Sequence, residues 1–504
     1  MWLLFVPAAL AIDVYEGEDL FAAIAALGPG DELVVHAGTY STRSSGGSYY
    51  REVTLAGTEA APIVVRAADG ETVVIEGDSE GSQNTVDLSG TWYTWQGFEM
   101  VYGSHGLRIG TSAHGQILDN HIHDSADVGL SMNRSDNTYE AMTVSGNEID
   151  HTHGTGECMY LGCNDGGCVV WDSVIQGNYC HDTADTEQGD GIELKSGSYN
   201  NAILDNVIIN TNYPGITLYG TYGAAKNRVA GNLVWGTRDN GIQIVGDVDV
   251  ENNLVVDAAA YGIYSKESQG ATPEHVSIRH NTVVGGGDGC LRINDWDGVT
   301  DGVVANNLLI CAGGTAVRLA SGVGGAIWSG NLAVGDTDGA SGVGDGGSAD
   351  ALVVDAAAPD LYPVAGGALV DAGNPDHGLE VDFDCQPRDA APDVGAYEWT
   401  GEGGPLWAVQ GDFKPGCGET TGGDDTGGEP GGDTGPQGSE GDGGDPGGGD
   451  GPTDDSAADT GGAGGADTGT PKGSTCGCAA NPEASGWAVL LLLGVIPRRR
   501  PRQP

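Results

Sequence analysis

The chain has 504 residues, 89 of them glycine, and sets 72 acidic against 20 basic side chains, for a formal net charge of −52. No basic face is large enough to displace counterions from phosphates, which excludes nucleic acid as a partner. The same charge disfavours anionic membranes and polyanions wherever basic residues do not gather locally.

Residues 1–11 are apolar and close on the small-residue pattern Ala9-Leu10-Ala11, the mark of an export signal, although the basic n-region is missing. The alternative is a buried first strand. Export agrees with ten cysteines, because disulfides persist in oxidising compartments. Cys158, Cys163, Cys168 and Cys180 lack the tight paired spacing of structural zinc sites, so they are read as disulfide partners. Cys290 and Cys311 are expected to bridge neighbouring turns of a coil.

Residues 12–399 form the expected body. Leu20 to Leu27 is amphipathic over helical spacing and predicts a short helix capping an open N-terminal end; a strand follows at Glu32 to His36. Beyond it, short alternating segments recur, such as His105-Gly-Leu-Arg-Ile, Asp190-Gly-Ile-Glu-Leu and Asn240-Gly-Ile-Gln-Ile. Between them a second segment recurs, each copy carrying one asparagine: Asn120, Asn147, Asn178, Asn206, Asn232, Asn253, Asn281, Asn307 and Asn331. The gaps range from 21 to 31 residues, too irregular for a strict hexapeptide coil. They predict an all-β solenoid, a right-handed parallel β-helix with loops of variable length. The nine asparagines are then a structural ladder, each amide bonding to the next.

Period-2 alternation assigns two outward columns. One reads Arg108, Ser131, Tyr160, Glu193, Thr217, Gln243, Tyr264, Arg292, Arg318; the next includes Asn133, Lys195, Tyr219, Lys266 and Asn294. Lysine is rare here, so Lys195 beside Glu193, Tyr160 and Tyr219 marks a groove with a base, an acid and aromatic faces for sugar rings. The alternative is a solvated ion pair of little consequence. Histidines in turns (His121, His123, His151, His153, His181) are read as stacking or capping groups, so no metal site is assigned to them. Calcium is the one candidate cofactor, on acidic side chains such as Asp382 and Asp384.

Pro62 to Arg66, Gly70 to Gly77, Trp95 to Phe98 and Val394 to Glu398 resemble the bacterial right-handed β-helix repeat proteins of the pectate-lyase-like superfamily, over residues 12 to 398. Glu193-Leu-Lys195-Ser196, with Asn201 and Asn206, resembles the lysine-bearing turn of the alginate-lyase and chondroitinase B family. That likeness implies Lys195 as the base and an Arg-His-Gly on the next turn. The chain has Leu218-Tyr219-Gly220 there, so the arginine and histidine are missing and Tyr219 is the remaining candidate acid.

Residues 400–475 are mostly Gly, Asp, Thr, Pro and Ser and read as a disordered linker. Residues 476–504 carry Cys476-Gly-Cys478, a short apolar run and Arg498 to Arg500, and resemble the C-terminal sorting signal of myxobacterial surface proteins. The combined expectation is a secreted, surface-anchored monomer, a lyase-like enzyme on an acidic polysaccharide. Lys195, Tyr219 and Glu193 would be catalytic, and Tyr160, Arg108, Asn133, Thr217 and Gln243 would bind substrate. Its partners would be that polysaccharide and a C-terminal processing and anchoring machinery. The alternative class is a non-catalytic carbohydrate-binding adhesin or structural surface protein.

Overall fold

The computed structural model describes residues 11–401, apart from 165, 184–187 and 358–359. The expected sorting segment at 476–504, nearly all of the expected linker and residues 1–10 of the expected export signal lie outside the described residues. Within the body the chain winds as stacked turns whose strands pair in parallel with those of the next turn. Each turn brings three short strands to the wall, as in Ile192–Leu194, Ala202–Leu204 and Val207–Ile209.

The capping helix is Leu20–Ala25, started by the Asp19 side chain accepting from the Ala22 N–H, and it buries Leu20 and Ile24 over the first turn. Many inward positions are aliphatic: Ile192, Ile216, Ile242 and Ile263 stack in register. Burying such side chains contributes roughly 25 cal/mol per Å² of apolar surface, repeated at every turn. The glycine before each of them is required by close approach. A Cβ at Gly191 would stand 2.6 Å from the Ile208 methyl, and one at Gly215 would stand 2.4 Å from the Val234 methyl. The Gly-Ile repeat is therefore a statement about how tightly opposite walls meet.

The nine asparagines form one continuous run of buried amides. Asn120 donates from Nδ2 to Asn147 Oδ1 at 2.9 Å, and the same contact links each later pair down to Asn307 and Asn331. Each Nδ2 also donates to a backbone carbonyl on the preceding stretch of chain, as Asn206 does to Ile175. The residue before each asparagine is left-handed: Asp119, Asp205, Asn252 and Asn306 have φ of 53°, 53°, 50° and 58°, and glycines serve at 146 and 177. Asp and Asn tolerate that region better than other side chains. A shorter ladder at another corner, Ser173 to Asn201 to Asn227, escaped the sequence reading.

Among the described residues, three disulfides pair the six cysteines expected to bond: Cys158–Cys180, Cys163–Cys168 and Cys290–Cys311. One expectation needs correction. Cys290 lies in Gly289–Ile293 and Cys311 in Leu308–Thr315, two strands of the same turn, so the bond crosses one turn instead of joining neighbours. The walls of a turn approach closely enough at that point, where Gly286 and Gly289 also pack.

The coil proper ends with Asn331–Asp336 and Val343–Asp345. The residues that follow return along its side instead of adding turns. Gly395 and Ala396 donate to Asn306 O and Thr282 Oγ1, and Arg388 reaches Asn252. The Arg388 guanidinium is fully buried against Glu398 and the carbonyls of Gly395 and Ala396, which fixes this return strap.

Candidate functional site

The first outward column is continuous in register: Arg108, Ser131, Tyr160, Glu193, Thr217, Gln243, Tyr264, Arg292 and Arg318 pair successively. Its middle is not an open groove. Glu193 and Lys195 form an ion pair with both side chains 4% exposed, and Thr217 is buried beside them. The Lys195 ammonium lies 4.3 Å from the Tyr160 ring centre and 5.0 Å from that of Tyr219. The Tyr219 hydroxyl donates to Glu193 Oε1 at 3.2 Å. A neighbouring loop closes the top, where Gln269 accepts from Ser196 and its carbonyl accepts from the Tyr222 hydroxyl.

The solvated ion pair weighed from sequence is thus replaced by a desolvated one. In low dielectric the pair is held by Coulomb attraction and two aromatic faces, against a large desolvation cost. The lysine that reads as an accessible base is a charge with three partners.

A third column, three residues upstream of the first, completes the site and was missed. It carries His105, Glu157 and Asp190, whose backbones bond in the same ladder. Carboxylate oxygens of Glu157, Asp190 and Glu193 lie within 4.8 Å of one another, and all three residues are buried. Asp190 accepts from the Thr217 hydroxyl at 2.8 Å and Glu157 from Thr155 at 2.7 Å. Glu157 Oε1 and Glu193 Oε2 are buried without a hydrogen-bond partner. Burial, then repulsion from Glu193, pushes the Asp190 carboxyl well above its ordinary value; burial also raises that of Glu157. The signal was legible, because each repeat segment begins with this residue, as in Asp190-Gly-Ile and His105-Gly-Leu.

Upstream, His105 lies 3.9 Å from Asp127, and burial followed by the Arg108 charge lowers its imidazole to about 4. Arg108 Nε, Ser131 Oγ and Asn133 Oδ1 are buried atoms without partners. Gln243 accepts from Asn240 at 3.3 Å and stands apart from the carboxylates. The Cys158–Cys180 bond starts at the residue after Glu157, and Tyr160 lies between Cys158 and the Cys163–Cys168 bond.

Asp382, the acidic side chain named for calcium, is engaged by backbone N–H groups. Its Oδ1 accepts from the N–H groups of Asp384 and Gln386 and its Oδ2 from that of Glu398, so its oxygens serve the return strap. The turn histidines pair with carboxylates: His121 with Asp150 at 2.9 Å, His123 with Asp124 and His181 with Asp182 at 2.8 Å. Elsewhere a cleft of about 1000 Å³ is lined by Trp92, His114, Gln116, Glu140 and Asp172, with the first two rings stacked at 3.9 Å. It lacks the lysine and the carboxylate triad.

The family model described as a right handed beta helix region matches residues 72–247 and, overlapping, 129–309. That decides the hand of the coil. The fold is a right-handed parallel β-helix. Among solved structures, the β-helix resembles the PL6 family alginate lyase AlyGC, with 16% identity and a TM-score of 0.50, over 71% of this chain and 55% of that one. The chain therefore spans little more than half the length of that lyase. Pectate lyase Pel9A is similar at 15% identity over 78% of this chain and 97% of its own, with a TM-score of 0.49. No curated protein sequence matches the chain.

Proposed function

We propose that this β-helix is an exported, surface-held carbohydrate-active protein whose residues around Lys195 perform β-elimination on an acidic polysaccharide. The observation that carries the reading is the site itself: Lys195 between Tyr160 and Tyr219, in contact with Glu193 and above two further buried carboxylates. Elimination needs a base for the proton α to a uronate carboxylate and an acid for the leaving oxygen. The Lys195 amine would take that proton as the C–H bond breaks and the ring double bond forms. Tyr219 would give its proton to the departing glycosidic oxygen. Burial, then the Glu193 charge, pushes the Tyr219 phenol above its ordinary value, so it holds that proton until the bond breaks.

Lys195 serves as a base only once Glu193 is drawn to another partner. The residues present fit a divalent cation such as calcium, since Glu157, Asp190 and Glu193 offer clustered carboxylates and two of their oxygens lack a partner. When bound, such an ion would neutralise the substrate carboxylate. Export and surface retention rest on residues 1–11 and 476–504.

A binding protein without catalysis is favoured by one observation, the buried Lys195–Glu193 pair, in which both side chains are only 4% exposed and so closed to a substrate. The test is to incubate the full chain with uronate polysaccharides, with and without calcium, and follow the ultraviolet absorbance of unsaturated ends. Product formation lost in Lys195→Ala supports the lyase. Binding to the same polymers without product leaves the adhesin.

A further inference from the structure

The same face carries a second feature, three to five turns beyond Lys195. Tyr264, Arg292 and Arg318 occupy successive turns of the outward column, about 4.8 Å apart. Lys266 and Asn294 stand beside them in the next column. The Arg292 guanidinium packs on two rings, 4.7 Å from the centre of Tyr264 and 5.0 Å from that of Tyr261. Its Nε donates to Asn294 Oδ1 at 3.3 Å, and Asn294 Nδ2 donates to the Tyr264 hydroxyl at 2.9 Å. Lys266 Nζ lies 5.3 Å from the Tyr264 ring centre.

In a chain with 72 acidic against 20 basic side chains, a cation readily finds a carboxylate. Arg66, Arg134, Lys226, Arg228, Arg279 and Arg388 each have one within 4.0 Å. Lys266, Arg292 and Arg318 have none among the described residues, although all three are at least partly exposed. Stacking and the Asn294 contact hold Arg292 in one orientation, with its terminal nitrogens still to be satisfied. A fixed guanidinium fork matches a carboxylate in bidentate geometry, and the aromatic faces suit sugar rings.

We propose that Lys266, Arg292 and Arg318, with Tyr264 and Asn294, form a binding strip for an anionic glycan running along the helix axis. One cation per turn gives a spacing comparable to one sugar residue of an extended chain, so successive charged units would meet successive turns. The strip rests on the proposed function for the class of ligand, not for cleavage, and holds for an enzyme or an adhesin alike.

Affinity electrophoresis of the full chain tests this, in gels containing polygalacturonate, a sulfated glycan or neutral dextran. Retardation is expected with polygalacturonate and not with dextran. The variant combining Lys266→Ala, Arg292→Ala and Arg318→Ala should lose at least tenfold in affinity while its thermal midpoint stays close to that of the parent. Arg292→Lys keeps the charge but loses the fork, and should weaken polygalacturonate more than the sulfated glycan. Lys195→Ala should abolish any cleavage and leave retardation intact, which separates failure of the catalytic reading from failure of the strip. No retardation on any anionic polymer, equal retardation by dextran, or full affinity in the triple variant would each overturn the proposal.

Discussion

Lys195 and Glu193 are joined as an ion pair in which each side chain is only 4% exposed, two residues apart on one short strand and its edge. Removing one partner of such a pair leaves a buried charge without compensation, at a cost of about 3–5 kcal/mol. Glu193→Gln is therefore expected to lower the denaturant midpoint sharply. The double change Glu193→Gln with Lys195→Met should recover much of the loss, because no lone charge remains. Equal destabilisation by both variants would contradict this account.

The asparagine ladder gives a second expectation. Asn206 accepts from Asn178 and donates to Asn232 and to Ile175 O, all buried. Asn206→Ala orphans several groups at about 1–3 kcal/mol each. Asn210→Gly, at a left-handed position that glycine adopts without strain, removes only a surface contact to Asp182 and should cost far less. Chemical denaturation of the two variants side by side decides the point.

Calcium should raise the melting temperature if the carboxylate triad holds it. Binding to the folded state alone stabilises by about 2.7 kcal/mol at a hundredfold excess over the dissociation constant. Glu157→Gln should remove the calcium-dependent rise, whereas Asp384→Asn should leave it intact. A rise unchanged in Glu157→Gln would place the ion elsewhere.

The histidine face predicts a pH dependence. The hydrogen bond to Asp150 raises the His121 pKa. Burial pushes Asp150 up, but hydrogen bonds from His121 and His151 outweigh it and hold the carboxyl at about 2, below its ordinary 3.8. A raised histidine stabilises fully below its unfolded value and loses that contribution as pH climbs through the folded one. A depressed aspartate stabilises above its unfolded value and loses that contribution as pH falls towards 2. The pair is thus complete between about pH 4 and 6.5. Comparing melting temperatures across pH, His121→Gln should differ most from the parent inside that window and converge with it above.

Disulfide loss should also be measurable. Cys158 and Cys180 are separated by 22 positions. Opening a loop of that size costs about 3 kcal/mol in the chain-entropy account. Replacing both by alanine should lower the melting temperature and loosen Glu157, its neighbour, which hydrogen exchange at residues 155–161 would report.

The sequence by itself determined the solenoid, because a coil repeats one local problem at every turn. Glycine before isoleucine, and asparagine after a left-handed residue, recur wherever a wall must approach closely or a buried amide must be satisfied. Period-2 alternation placed Arg108 through Arg318 in one column for the same reason. Which of those columns are covered was decided only by tertiary structure. The Lys195 ammonium meets Tyr160 and Tyr219 from adjacent turns, and the hydroxyl of Ser196 beside it meets Gln269, 73 residues further on; no local pattern encodes either approach. The carboxylate triad likewise draws Glu157 and Asp190 from positions 33 residues apart, made neighbours by the rise of one turn. Desolvation depends on everything packed around a group, so the step from an outward lysine to a buried, paired one belongs to the folded molecule alone.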